Sequence, residues 1–419
     1  LGAILFIVLR LIWMSLLIYL TAKALTVMLG VSEDAIPWIA LVTGFVAVIY
    51  TSLGGLRAVV ITDFMQTILL YGGALLVLGT ITYDLGGFSW FPTERDPNWD
   101  VQPFFSTDPS TRVTMFGAML SFYVWFVCTS GGDQTSVQRF MSTTDVRSAR
   151  RAVATQFAVT IIVALTLTCV GFAILGYYQA NPERLGDLTV KENADELFPH
   201  FIAFELPPGI SGLVVAAMFA AAMSSIDSGV NSITAVVMTD LLDRFGKRPK
   251  TETAHVRLAR VMAFGIGAFV VVCSSLMEHV PGNITAVTQK TSNLLTTPIF
   301  GLFFFALFVP FASPKGVWIG TIFGTLTAVA IAFSGPWVVF LHQQFGVDPG
   351  LFGVELLTKI DPDTQKEFLV TAVPRLIPGT TETQLVARDP VSFQYIAPAS
   401  IAIDILTGCI GSLLLPKKK

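Results

Sequence analysis

The stretch AAAMSSIDSGVNS, residues 220–232, decides how the chain is interpreted. It follows the apolar run GLVVAAMF, so it continues a helix that lies in lipid or in a helix bundle, yet it carries four serines, an asparagine and an aspartate. At about 100° of rotation per residue, one arc of about 100° is occupied by Ala221, Ser224, Ser225, Ser228 and Ser232. Asn231 and Asp227 lie just beyond one edge of this polar stripe.

The composition is that of a membrane protein. Hydrophobic residues make up 53% of the 419 residues and charged residues 13%, and the mean hydropathy is +0.69, whereas soluble domains contain about 25% charged residues. The formal net charge is -3 and the basic residues cluster in a few short segments, so no nucleic-acid partner is predicted. The four cysteines lie in apolar runs without metal-ligand spacing and are interpreted as small buried residues.

Hydropathy predicts an all-α polytopic fold. A helix needs about 20 apolar residues to cross the hydrocarbon, and a window of that length finds about ten candidates. They cover approximately residues 2–29, 36–52, 58–82, 112–132, 153–178, 209–239, 259–278, 284–311, 315–334 and 394–415. A single transmembrane domain over residues 1–419 accounts for all of them.

Basic segments favour one orientation of these spans. If the spans alternate, QRFMSTTDVRSARRA, DRFGKRPKTETAHVRLAR and the terminal KKK fall on one side, which the positive-inside bias makes cytoplasmic. The segments at about 83–111, 179–208 and 335–393 are then extracytoplasmic loops. The chain is accordingly predicted to be a multi-pass protein of the inner or plasma membrane.

The polar stripe has two interpretations. Serine hydroxyls alone are typical of contacts between membrane helices, but Asp227 adds a carboxylate, which at membrane depth marks an ion path, a proton relay or a paired charge. Hydroxyl, carbonyl and carboxylate oxygens are what a hard cation requires in place of its water. Asp227 is therefore either a cation ligand or a partner of Asn231 or of a basic residue on a neighbouring helix.

A second carboxylate occurs in GGLRAVVITDFMQTILLYGG. The glycines at 54–55 predict a turn at the cytoplasmic surface, and Asp63 lies six residues after Arg57, about 9 Å along a helix. Asp63 is either an acid favoured by the helix dipole or part of a cation path.

Glycines interrupt an aromatic helix in SFYVWFVCTSGGDQTSVQRF. Gly131 and Gly132 stand directly before Asp133. They mark either a broken helix of the kind that lines a transporter cavity or a plain helix end at the cytoplasmic face.

The segments GGLRAVVITDFMQTILLYGG, DQTSVQRFMSTTDVRSARRA and GLVVAAMFAAAMSSIDSGVNSITAVVMTDLL occur in this order and at suitable distances. Together they closely resemble the solute:sodium symporter family, nearest its sodium/glucose branch, from the first helix to about residue 334. The resemblance implies a LeuT-like core of two inverted five-helix repeats, with sodium and substrate near the midplane. It also implies that Leu1 begins core helix three, so that core helices three to ten are present with additional C-terminal helices, and core helices one and two are expected to be missing.

The same resemblance implies where sodium binds. It places one sodium site at the backbone carbonyl of Ala221 and the hydroxyls of Ser224 and Ser225, and it matches Asp63 to a carboxylate on the sodium exit path.

A second sodium ion is expected among Asp63, Asp227, Ser224 and Ser228, because some family members have a second site at matching positions. Two neighbouring carboxylates in a low dielectric repel each other, and a cation between them offsets that repulsion.

By alignment with the sugar-binding positions of the family, the substrate-binding residues are expected to be Phe126, Thr129, Thr160 and Lys290. This set departs from the sugar-binding pattern, so the solute is predicted only as a sugar or a related small organic molecule. Lys290 either extends to the surface or faces an anionic group of the substrate. Arg10 and Asp404 also interrupt apolar runs and are assigned to an interface or to packing.

The predicted function is sodium-coupled symport of a small polar solute by alternating access. No nucleophile triad, histidine metal cluster or phosphate-binding glycine loop occurs in the sequence, so no enzyme is predicted. Two alternatives stay open: a transporter-like sensor module, and a symporter of the same fold that is driven by protons through Asp63 and Asp227.

The orientation can be tested by cysteine labelling. A cysteine introduced near Lys247 lies in a predicted cytoplasmic loop, so an impermeant reagent added outside sealed cells should not label it. A cysteine introduced between residues 181 and 200 is the matched control and should be labelled. Efficient labelling near Lys247 would overturn the orientation.

Overall fold

The computed structural model of the chain describes residues 2–94, 102–186, 188–190, 193–247, 249–277, 284–360, 367–376 and 383–416. Among these residues, nine helices are long and apolar enough to cross a membrane, and Ser292–Phe308 forms a shorter apolar helical segment. The predicted multi-pass architecture is confirmed.

The helices are α1 (Gly2–Leu29), α2 (Ile36–Asp84), α3 (Met115–Gly132), α4 (Gln134–Met141), α5 (Val146–Ala180), α6 (Leu197–His200), α7 (Pro208–Val236), α8 (Glu252–Ser274), α9 (Ile284–Phe308), α10 (Pro314–Ala332), α11 (Ser334–Phe345) and α12 (Ile396–Leu414). Helix α7 continues as a π-helix over Val237–Asp243.

Helix α2 supplies two spans. The candidate spans Glu33–Leu53 and Val59–Asp84 lie largely within its 49 residues, and each is long enough to cross the hydrocarbon. The first half packs on α8, where Val48 contacts Gly267, and the second half packs on α7 around Gly73. The turn predicted at glycines 54–55 stays a prediction, since it falls between the two candidate spans on residues 54–58, whose side chains lie outside the described part of the chain.

Helix α7 lies between two apolar clusters. Ile226, Val230 and Ile233 pack with α1, α8 and the first half of α2, whereas Val214 packs with α5 and the second half of α2. Gly229 lies against the Met14 side chain of α1 so closely that any Cβ would overlap it. Packing on several sides leaves the polar stripe of α7 facing protein, which is where polar groups at membrane depth are tolerated.

The helix break predicted near the paired glycines is confirmed, but it falls at Asp133. This residue has an extended backbone (φ -85°, ψ 121°), and its carboxylate accepts from the Thr135 N–H at 3.0 Å, which caps α4. Gly132 ends α3 against the α9 backbone, because an added Cβ would lie 2.9 Å from Phe300 Cα. The glycine therefore brings the break into contact with α9.

The segment predicted as a long loop contains α11 and a three-stranded antiparallel sheet in the order β1 (Glu355–Ile360), β2 (Glu367–Leu376), β3 (Thr383–Ala387). The sheet packs on α11, where a Cβ at Gly335 would lie 2.8 Å from Thr371 Oγ1. Strands of five to ten residues are too short for a 20-residue hydropathy window to detect. The all-α prediction holds for the membrane-spanning part.

Candidate functional site

A cavity of about 110 Å³ lies where α1, the end of α3 and α9 meet. Its apolar lining includes Phe6, Trp13 and Trp125. Its polar lining comprises Arg10, Thr129, Asp133, Ser292 and Thr296. An aromatic cavity with a few polar groups and a broken helix in its wall has the chemical character of a binding site for a small polar solute.

Arg10 and Asp133 form an ion pair inside this cavity. The Arg10 Nη2 donates to Asp133 Oδ2, and the two side chains are 18% and 10% exposed. Within the part of the chain that the structure describes, Arg10 Nε has no hydrogen-bond partner. Because a guanidinium offers five N–H donors, Arg10 retains donors for a second acceptor while paired with Asp133.

A second polar group lies between α7, α2 and α4. The Ser224 hydroxyl donates to Asp63 Oδ1 at 2.5 Å, and the Ser228 hydroxyl lies 3.4 Å from Asp63 Oδ2. Arg139 Nη2 donates to Asp63 Oδ2 at 2.5 Å and to Ser228 Oγ at 2.7 Å. We call Asp63, Ser224 and Ser228 the oxygen cluster. It is already occupied by a cationic group, the Arg139 guanidinium.

Asp227 points to a different neighbour. It is fully buried, and its Oδ1 accepts from the hydroxyl of Thr51 in the first half of α2. Thr51 Oγ1 also bonds to the Ala47 carbonyl at 2.8 Å. The structure therefore brings Asp63, Ser224 and Ser228 together, whereas Asp227, which was expected with them, contacts Thr51.

The remaining stripe residues follow the helical arrangement. Ala221, Ser224 and Ser225 lie within little more than one turn of α7 and are half-buried. In an α-helix the carbonyl of a residue lies near the side chains three and four positions later, so Ala221 O and both hydroxyls can face one ion. Ser232 approaches the Thr135 hydroxyl of α4 at 3.3 Å.

The four residues expected to bind substrate do not gather at one place. Thr129 lines the cavity, whereas Phe126 packs its ring on Phe157 of α5 at 5.5 Å. Lys290 forms an ion pair of 2.5 Å with Asp389, just after β3, which fixes the sheet segment to α9. Thr160 is a half-buried residue of α5 outside the lining of this cavity.

Sequence reasoning missed the role of Arg10, which had been assigned only to an interface or to packing. The available signal was a single arginine in an apolar run, and its partner lies 123 positions away. Arg139 was identified only as part of a basic segment, although its guanidinium reaches the stripe.

Comparison with known proteins places this geometry in a family. The family model for the sodium:solute symporter family matches residues 1–324. The chain belongs to the sodium:solute symporter family. The resemblance inferred from the three segments is thereby confirmed, as is the prediction of a transporter class and not an enzyme class.

The relatives are named for different solutes. The sodium/sialic acid symporter SiaT of Proteus mirabilis is 28% identical over 345 residues, 79% of this chain and 66% of SiaT. The sodium-dependent multivitamin transporter of Oryctolagus cuniculus is 28% identical over 347 residues, 80% of this chain and 52% of that protein. Human sodium-coupled monocarboxylate transporter 1 is 27% identical over 332 residues, 77% of this chain and 52% of that protein. The chain thus spans about half to two thirds of these symporters.

A solved structure has the same fold. The substrate-bound, outward-open state of a Na⁺-coupled sialic acid symporter aligns with 100% of this chain and 75% of its own, at a TM-score of 0.70 and 22% sequence identity. The likeness confirms the LeuT-like fold that the sequence predicted.

Proposed function

We propose that the chain serves sodium-coupled symport of a small polar organic solute across the cell membrane by alternating access. The observation that carries the proposal is the oxygen cluster, which joins α2 to α7 and holds a cationic group. A carboxylate and two hydroxyls supply the hard oxygen ligands that a sodium ion requires. Sodium is cargo here as well as the driving ion.

In this proposal there are two sodium positions, and both use the hydroxyl of Ser224. The first uses the Ala221 carbonyl with the hydroxyls of Ser224 and Ser225. The second uses Asp63 with Ser224 and Ser228, and it exchanges its sodium for the Arg139 guanidinium during the cycle. Asp227 remains a candidate ligand of this second ion, and its contact with Thr51 is the arrangement that binding would have to change.

The cavity supports an acidic solute. Arg10 is the cationic group in its lining, and a charge-assisted hydrogen bond to a carboxylate is about twice as strong as a neutral one. The aromatic side chains suit the carbon skeleton of an organic solute. Relatives named for sialic acid and for monocarboxylates support this class, and Thr129 with Thr296 offers hydroxyls for further polar groups.

The experiment that tests the function is uptake of a panel of sugars, sugar acids and short carboxylates by the full-length protein in proteoliposomes, with an inward sodium gradient, an inward proton gradient or neither. We expect accumulation of an acidic solute with the sodium gradient at fixed pH. Accumulation with the proton gradient in the absence of sodium would establish the proton-driven alternative instead.

Ser225→Ala tests the first sodium position. Loss of one ligand hydroxyl from a buried cation costs about 1–2 kcal/mol, so the sodium concentration for half-maximal uptake should rise about 5- to 30-fold. Solute affinity at saturating sodium should change far less. Ser211→Ala is the control, since that serine lies on the same helix about 21 Å away. An unchanged sodium curve for Ser225→Ala would remove this serine from the site.

Arg139→Gln tests the exchange at the oxygen cluster. While the Arg139 guanidinium occupies the oxygen cluster, sodium cannot bind there, so the apparent affinity for sodium is reduced in proportion to the fraction of time the cluster is free. Removal of the guanidinium should therefore lower the sodium concentration for half-maximal uptake severalfold. Arg147→Gln is the control because this arginine is exposed on α5. A sodium requirement that stays the same or rises would show that Arg139 does not compete with sodium.

Arg10→Gln tests the solute class. It should weaken apparent affinity for the acidic solute by about 10- to 150-fold, the equivalent of about 1.5–3 kcal/mol for a hydrogen bond to a charged group, and spare neutral solutes. Arg10→Lys should retain part of the affinity. In the double variant Arg10→Gln, Asp133→Asn no carboxylate is left without its ion-pair partner. This variant should likewise lose affinity for the acidic solute and keep its affinity for neutral solutes. Equal loss for acidic and neutral solutes in the double variant would contradict an acid-binding role.

A further inference from the structure

Asp404 is a carboxylic side chain that the proposed transport sites do not use. It lies in the middle of α12 and is 0% exposed. In the part of the chain that the structure describes, neither of its carboxyl oxygens has a hydrogen-bond partner. A buried carboxyl with both oxygens unsatisfied needs an explanation.

Three glycines, Gly301, Gly320 and Gly324, surround this carboxyl group, and we call the space that they leave for it the seat. A Cβ at Gly301 of α9 would overlap Asp404 Oδ2, and a Cβ at Gly320 of α10 would lie 2.6 Å from Oδ1. At Gly324, one turn further along α10, an added Cβ would lie 2.7 Å from Asp404 Cβ. The seat therefore fits the carboxyl closely from two helices.

Asp404 belongs to a row of polar and small residues along α12. Ser400 and Ser412, which are polar members of this row, have hydrogen-bond partners. The Ser400 hydroxyl donates to the Gly324 carbonyl at 3.0 Å and contacts Thr297 Oγ1 at 2.8 Å. Ser412 Oγ accepts from the Ser313 N–H at 3.1 Å. Serine at these positions bonds across the helix contact, as is typical of membrane helices, so the contact itself does not require an acid.

In the described parts of the helices around Asp404, no cationic side chain pairs with it. The titratable side chain that faces it is the Cys128 thiol of α3, which lies within electrostatic range. On α9 the titratable residue is Lys290, which is paired with Asp389, and on α10 it is Lys315 at the first turn. Cys409 is the other titratable residue of α12 itself. An ionised Asp404 would therefore be an unpaired charge in a dry seat, which is highly unfavourable.

We propose that Asp404 is a proton-binding site, whose carboxyl group is neutral while α9, α10 and α12 are packed as observed and exchanges its proton with water when α9 moves. On uptake an O–H bond forms between a carboxylate oxygen and a proton from water, and on release that bond breaks and the proton returns to water. No electron transfer or co-reactant is involved. The inference requires only the packing around Asp404 and holds whichever ion drives transport.

The site is connected to the cavity through α9. Ser292, Thr296 and Ile299 line the cavity, and Gly301, two residues after Ile299, touches the carboxyl. A movement of α9 that reshapes the cavity wall therefore also opens or closes the seat of Asp404. Proton binding and solute binding are then linked, since each favours one position of the same helix.

Infrared spectroscopy of the full-length protein tests the protonation directly. The wild-type protein should show the carbonyl stretch of a protonated carboxylic acid, and ¹³C-labelling of aspartate should shift this band and so assign it to an aspartate. Asp404→Asn should lose the band, because the amide keeps the shape of the side chain without the acid. Asp34→Asn is the matched control, since Asp34 is exposed, and it should keep the band.

Several results would overturn the proposal. An aspartate band that keeps its full intensity in Asp404→Asn, the absence of any such band in the wild type, or a carboxylate band that is lost in Asp404→Asn would each show that the group is ionised. If Asp404→Asn fails to fold, the isotope shift in the wild-type protein still shows whether a protonated aspartate exists, and its absence sinks the proposal.

The linkage to the cavity has its own readout. At saturating sodium, apparent solute affinity of the wild type should vary with pH by up to about tenfold per pH unit, the limit for one proton, and this component should be absent in Asp404→Asn. Identical pH profiles for the two proteins would contradict the linkage. Failure of sodium coupling alone would leave the infrared result unchanged, so the two proposals can fail separately.

Discussion

A polar side chain inside the hydrocarbon must find its partner within the protein, because lipid offers neither hydrogen bonds nor counter-ions. Helix α7 illustrates this constraint. On this helix Ser224 and Ser228 bond to Asp63, and Asp227 bonds to Thr51. These bonds join α7 to both halves of α2.

Glycine determines how closely the helices around the site approach one another. Gly132 brings the end of α3 against the α9 backbone, and Gly301 brings α9 against Asp404. Helix α9 thus contacts both the break at the cavity and the carboxyl on α12. With interfaces this close, a small displacement of α9 cannot be absorbed by side-chain rearrangement at one contact alone. A packed helix of this kind is suited to move as a unit between two arrangements.

Much of this molecule could be predicted from the sequence because its signals are local. Apolar runs gave the membrane spans, and helical periodicity placed Ser224 and Ser228 on one face with Asp227 at its edge. The pairings Arg10 with Asp133 and Lys290 with Asp389 could not be found this way, since their members lie 123 and 99 positions apart. The sheet was missed for a different reason, since its strands of five to ten residues are too short for a 20-residue hydropathy window to detect.

The polar groups of residues 220–232 are therefore divided between two faces with different chemistry. On one face, Asp63 is 18% exposed and its partner Arg139 is 43% exposed, so the bond between them is open to water and its cation can be exchanged. On the other face, Asp227 is fully buried and bonded to a hydroxyl that is itself fixed to a helix carbonyl, so its exchange requires movement of the first half of α2. In the proposed cycle this difference orders the two acids: Asp63 takes part in ion exchange with the helices as observed, and Asp227 can do so only after α2 and α7 have moved relative to each other.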